Sequence, residues 1–341
     1  MRVLRLAAQR LAVSLPCLAI ILIVLFLMLQ LAPGDAVDAM LGQMGTSDAV
    51  LAEQLRAFYG LDSDLTARLS VYLWRLVRFD LGMSALYNQP VINVILDRLP
   101  VTLLLMGSAL SLAFAAGTAV GIVAARHVNR WPDTLISTFG LIFYAAPSFW
   151  FGLMGILLFA VKLNWLPSGG YIDLAAGYVG WRYAIDVAVH LVLPTLTLAL
   201  IYFAIYLRVM RASMLEVMTL DFVRTARAKG VREAGVLVRH ALRNALLPMV
   251  TIIGLQAGAM LGGSVVVESV FSLPGLGRLA YESVRQRDLN MLLGIVFMSS
   301  LLVIAINFLV DMLYARLDPR CDRRPCGASW YRRPDRSGWC C

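Results

Sequence analysis

The chain has 341 residues, 60% of them hydrophobic and only 15% charged, with a formal net charge of +9 and a mean hydropathy of +0.76. Water-soluble domains are roughly 45–50% apolar and about 25% charged, so this composition needs lipid as a second solvent. It excludes a cytosolic enzyme, a disordered regulator and a small disulfide-stapled secreted domain, and in a membrane protein the basic excess reads first as topology and headgroup attraction rather than nucleic-acid binding.

Six stretches approach the roughly 20 apolar residues that cross a bilayer core. The first, residues 11–31, follows Arg2, Arg5 and Arg10. It outlasts a signal-peptide core and no small-x-small cleavage site follows, so residues 1–31 read as a retained anchor. Residues 32–99 carry apolar positions at helical spacing in DAVLAEQLRAFYGLD and LTARLSVYLWRLVRFDLG, with Gly60 and Gly82 as helix stops. Trp74, Tyr72 and Phe79 beside Arg75 and Arg78 suit an amphipathic helix at headgroup level, or one packed on the spans.

The core, residues 100–313, holds the other five spans near 101–125, 135–161, 187–207, 249–267 and 291–313. Pro147 and Pro194 free backbone carbonyls inside two of them. Asp186, His190 and Pro194 crowd the start of the fourth. The segments NWLPSGGY (164–171) and FSLPGLGRL (271–279) combine Pro and Gly and read as ordered turns. Gly254, Gly258 and Gly262 fall at steps of four, on one helix face. Small residues there let helices approach closely, either within one subunit or as a subunit contact or pathway wall. Cys17 reads as core packing. The other four Cys, at 321, 326, 340 and 341, sit in an arginine-rich tail (314–341) whose spacing suits neither zinc nor, in a reducing compartment, a disulfide. It reads as a basic disordered tail, and no metal site is expected.

When the 30 Lys and Arg are sorted by alternate loops, 20 fall on the side of the termini and 10 on the other. Positive charge stays cytoplasmic, so both termini are expected to face the cytoplasm. The two lysines, Lys162 and Lys229, lie in no GxxxxGK[ST] setting, so no P-loop is present.

The longest loop on that side, about 208–247, is the informative one. Asp221 can cap a helix, Gly230 can stop it, and Arg227 and Lys229 suit its C-terminal dipole. A helix over about 222–229 follows, with Ala226 and Ala228 allowing close approach and Arg224 and Arg227 reaching outward. Glu233 opens a second helix towards Pro248, where the next span begins. The plain alternative is a basic loop that only sets topology. A DNA-reading helix-turn-helix is disfavoured, because both ends are tied to spans.

The wording of this loop resembles the EAA coupling loop of ATP-binding-cassette (ABC) importer permeases. Gly230 on the family glycine puts Arg224, Thr225 and Ala226 on E-A-A, with His240, Leu242 and Arg243 on the Ile, Leu and Pro of I-x-L-P. The departures match the variant of the dipeptide, oligopeptide and nickel branch, to which RTARAKG and RHALRNALLP are similar. LAPGD, YGLD, DLGMS, RLPVTL, LPSGGY, ESVFSLPGLG and LVDMLYARLDPR extend the resemblance over nearly the whole chain.

The resemblance implies an all-α integral membrane protein with six transmembrane helices in a type I importer permease fold and a helical extracytoplasmic segment after the first span. It implies a multi-pass bacterial inner-membrane subunit without catalytic residues or a cofactor of its own. Its partners would be a homologous second permease subunit, two cytoplasmic ATP-binding subunits that use ATP and Mg, an extracytoplasmic solute-binding protein, a peptide substrate and the lipid bilayer; no nucleic acid is involved. Asp221, Phe222, Val223, Arg224, Thr225, Ala226, Arg227, Ala228, Lys229 and Gly230 would form the ATPase-coupling helix, supported by His240, Arg243, Asn244 and Pro248. The cargo is expected to be a di- or oligopeptide, with nickel or another small solute as the alternative. A gradient-driven carrier is disfavoured because span interiors hold few ionisable groups: Glu268 and Asp311 lie near span ends, and His190 near a span start.

Overall fold

Long apolar runs in lipid leave backbone groups no partner but each other, and helix is the result throughout. The computed structural model describes residues 2–31, 41, 50–51, 53–54, 64–84 and 86–317. Its helices are α1 (Arg2–Leu31), α2 (Leu65–Val77), α3 (Val91–Arg126), α4 (Trp131–Ala145), α5 (Ser148–Lys162), α6 (Trp181–Met218), α7 (Asp221–Ala228), α8 (Glu233–Val270), α9 (Leu276–Arg285) and α10 (Leu289–Leu317). Two wide π turns interrupt this regularity, Ile156–Lys162 ending α5 and Val236–Ala241 near the start of α8. Gly60 and the tail from residue 318 lie outside the described residues.

Among the described residues, α3, α6, α8 and the Leu289–Val310 stretch of α10 are long and apolar enough to cross a membrane. The expected first span falls on α1, a helix of 30 residues whose side chains are only partly described. The expected third span is α4 and α5 bent at 100° to one another. The cause is local: Pro147 removes a donor and drives Ala146 out of helical space, to φ −82°, ψ 143°. Pro194 is carried inside α6 without a break. Pro248 likewise lies within α8, so it marks no boundary between a loop helix and the next span.

The bent pair still travels the length of the bundle. Asp133 at its start pairs with Arg211 near the end of α6. The loop after Lys162 reaches the opposite end, where the Gly170 N–H donates to the Phe271 carbonyl at 2.8 Å. α4 and α5 together therefore make one passage.

The most extensive helix contact joins α3 to α6. A Cβ on Gly117 would lie 2.7 Å from Tyr206 Cβ, and one on Gly121 would lie 2.8 Å from Met210 Cβ. These glycines bring two long helices into near-backbone contact. Around this seam a core of buried residues from α3, α6, α7 and α8 includes Leu105, Leu198, Met214, Val223, Val236 and Met249. A second core joins α1, α2, α9, α10 and the start of α3, and includes Leu22, Leu76, Ile95, Leu276 and Met291.

Three expectations need correcting, and one left open is resolved. α2 ends five residues before Gly82: Phe79, at φ 57°, takes the left-handed position, with its N–H on Leu76 O and the Asp80 N–H on Arg75 O. The stretch 271–279 is not a turn throughout, since α9 begins at Leu276. Cys17 is exposed. α2 divides its aromatics, with Tyr72 stacked on Phe26 of α1 and Trp74 outside beneath Arg78.

At the end of the bundle opposite α7, two buried carboxyl groups close helix N-termini. Glu268 accepts from Thr102 Oγ1 at 2.8 Å and from the Arg278 N–H at 3.0 Å, at the head of α9. Asp288 accepts from the Met291 N–H at the head of α10, and from Ser84 Oγ and the Leu86 N–H of the loop before α3. Glu268 is thus fully enclosed rather than interfacial, and its bonds are those of an internal cap.

Candidate functional site

α7 follows α6 after only Thr219 and Leu220, and it is held from both ends. The N-cap is Leu220, at φ −73° and ψ 149°, with no side-chain cap; Asp221 is the first helical residue, not the cap. Thr225 Oγ1 donates to the Asp221 carbonyl at 2.9 Å. At the other end Gly230 sits at φ +77°. The Gly230 N–H donates to Arg227 O at 2.9 Å and the Val231 N–H to Ala226 O at 3.3 Å, the pair of bonds that closes a helix with a left-handed residue.

The two sides of α7 differ sharply. Val223 and Ala226 are buried among Met214 and Val217 of α6 and Val236, Leu237 and Ala241 of α8. Ala226, at 6% exposure, thus serves the chain's own core and not the approach of a partner. Arg227 is turned back as well: its Nη2 and Nε donate to Glu233 Oε1 and Oε2 at 2.7 and 3.2 Å. That carboxylate raises the guanidinium further above its ordinary value, so Arg227 stays charged at any physiological pH. The open side presents Asp221, Phe222, Arg224, Thr225, Ala228, Lys229 and Gly230. Arg224 leans towards Asp221 at 3.6 Å.

The expected supports of α7 sit on its neighbour α8. The Asn244 side chain donates to the His240 carbonyl at 3.1 Å across the turn that follows the π segment. Arg243 and Pro248 are exposed, so the four residues form one short stretch of helix rather than a cluster around α7. The wide π turn places Val236, Leu237 and Ala241 inward together against α7.

The glycine row of α8 separates into two uses. A Cβ on Gly254 would meet Asn307 Oδ1 at 3.1 Å and Val310 Cγ1 at 3.3 Å, and one on Gly258 would meet Val303 Cγ1 at 3.5 Å, so both lie against α10 of the same chain. Gly262 has nothing within 4 Å and is open.

One contact near α7 was not anticipated. Arg211 Nε and Nη2 donate to Asp133 Oδ1 and Oδ2 at 2.6 and 2.7 Å, and the Asn129 N–H donates to Asp133 Oδ2 at 3.1 Å. Asp133 is buried. An Asp in the first turn of a helix after Trp-Pro carries no sequence sign of a partner 78 residues away.

The comparisons with known proteins agree with one another. The profile of the binding-protein-dependent transport system inner membrane component family matches residues 117–323. A Brucella abortus protein, provisionally named a peptide transport system permease protein, is 40% identical over 312 residues, covering 92% of this chain and 97% of its own. The glutathione transport system permease protein GsiC of Pectobacterium atrosepticum is 40% identical over 311 residues, covering 91% and 96%. Among solved structures, an inward-facing MetNI methionine ABC transporter chain superposes with a TM-score of 0.53 at 18% identity, covering 66% of this chain and 96% of that one, a likeness of fold.

Proposed function

The chain belongs to the family of binding-protein-dependent transport system inner membrane components, permease subunits of ABC importers whose ATP is hydrolysed by separate subunits, and from this premise we propose that its cargo is a peptide and that α7 receives the motor. The carrying observation is the two-sided build of α7. One side is fused to the core through Val223 and Ala226, and the other offers Phe222, Arg224, Thr225 and Ala228 to whatever docks there. A helix of eight residues so fixed transmits a push without deforming.

The proposed partners are a second permease subunit, two ATP-binding subunits and an extracytoplasmic solute-binding protein, and ATP with Mg is used by the ATP-binding subunits alone. The location is a bacterial inner membrane with both termini cytoplasmic, supported by the concentration of Lys and Arg on that side. The peptide cargo is supported by the printed names of two relatives, one a peptide and one a glutathione permease. The test is uptake of radiolabelled glutathione and of a labelled tripeptide into vesicles holding the assembled complex and internal ATP. ATP-dependent accumulation of either, abolished by Arg224→Glu on the open side of α7, is the expected result. Accumulation that ignores ATP, or that survives Arg224→Glu together with Phe222→Ala, would overturn it.

A further inference from the structure

We infer that Asp133 and Arg211 are positioning residues that make α4 move with the helix carrying α7. This deepens the reading of α7 as the motor's entry point and rests on it.

The geometry is that of a clasp. Arg211 lies on α6 shortly before the two-residue turn into α7, and both nitrogens of its fork meet both oxygens of Asp133 at the start of α4. Asp133 also receives the Asn129 N–H, where Asn129 holds a left-handed turn at φ 59°, so the same carboxylate fixes how α3 hands over to α4. An apolar pair of equal volume would hold the two helices together without the desolvation cost of burying charge. What a two-point fork adds is a defined register and angle.

Beyond the clasp the seam continues, with Gly140 facing Leu207 and Phe143 edge-on to Phe203 at 6.4 Å. At the Ala146–Pro147 break the chain changes direction. Past the break, Gly152 of α5 lies against Val270, Phe271 and Thr197. α4 is therefore a lever joined to α6 at the α7 end and set at 100° to α5, which it still meets where Phe143 lies edge-on to Phe151 at 5.6 Å. Displacement of α7 passes to α6 through the shared core of Met214, Val217, Val223 and Ala226, and to α4 through Arg211 and Asp133.

The test uses the full complex with its ATPase subunits, in a background with the five cysteines replaced by serine and a bimane label on Leu141→Cys, a position of α4 that is 58% exposed. ATP with vanadate arrests the motor in its closed state for the label reading, and ATP turnover is measured in a parallel sample without vanadate. The label should respond in the otherwise unaltered chain, and the response per turnover should fall at least about fivefold in Asp133→Asn and in Arg211→Lys, which keeps the charge but loses the fork. If Asp133→Asn fails to assemble, Arg211→Lys decides alone. A merely structural pair would lower the yield of complex and leave the response per turnover unchanged, and that result overturns the inference. A label that never responds in the unaltered chain overturns the reading of α7 itself, and the clasp with it.

Discussion

Thr102 and Glu268, 166 residues apart, are joined by a hydrogen bond of 2.8 Å, and the same Thr102 oxygen accepts the Leu276 N–H at 2.8 Å. One hydroxyl thus ties α3, α8 and α9 at a point closed to water. Thr102→Val keeps the shape and strands both partners, and should cost about 1–3 kcal/mol for unsatisfied buried groups. Thr102→Ser should restore most of it. Thermal denaturation of the purified subunit in detergent, followed by tryptophan fluorescence, reads the difference.

The glycines of α3 and α8 should respond oppositely to a methyl group. Gly117→Ala forces its Cβ against Tyr206 Cβ and the Phe203 carbonyl, so α3 and α6 must separate, at about 1–3 kcal/mol. Gly262→Ala meets nothing within 4 Å in the chain and, by removing a mid-helix glycine, should raise the isolated subunit's melting point, through a gain of up to about 1 kcal/mol in helix preference. Comparing both variants by the same melting assay checks this.

Within α7, side decides the outcome. Ala226→Leu overfills the chain's own core and should reduce folded subunit in the membrane, at about 1–3 kcal/mol. Ala228→Leu projects outward and should leave membrane levels intact while weakening co-purification of the ATPase subunits. Immunoblots of membranes and of affinity eluates separate the two.

Gly230→Ala meets no steric obstacle, yet its φ of +77° disfavours any side chain. The local cost should be about 1–2 kcal/mol. It should appear as faster amide exchange at residues 226–231, which carry the closing hydrogen bonds, with the long helices unaffected.

Charge sorting sets the orientation test. Reporters fused after Asn129 and after Arg232 should read cytoplasmic and one after Gly170 external, by alkaline phosphatase and fluorescent-protein activities. The reverse pattern would invert the proposed topology.

Much of this was readable in the letters. Apolar length located the four long spans and the bent pair, and Asp221, Gly230 and Glu233 bracketed α7 to within a residue, because caps act locally. Pro147 was visible as a disturbance but not as a right-angle break, since Pro194 and Pro248 sit inside unbroken helices. The row at 254, 258 and 262 was noticed because its period is regular. The tighter pair, Gly117 and Gly121, escaped because a helix face has no visible partner until Tyr206 and Met210 are folded against it. The inward turn of Ala226 and Arg227 was hidden for the same reason: an eight-residue helix reveals its buried side only once α6 and α8 are in place.

Glu268 and Asp288 also alter what a passing solute feels. Both count as acidic letters, yet neither carboxyl is presented to water. Nearby, Arg285 stands in the open over the Tyr281 ring, while Arg278 is occupied by Glu282. An anion approaching this end of the bundle can therefore touch the Arg285 guanidinium, whereas no cation can touch either buried carboxyl.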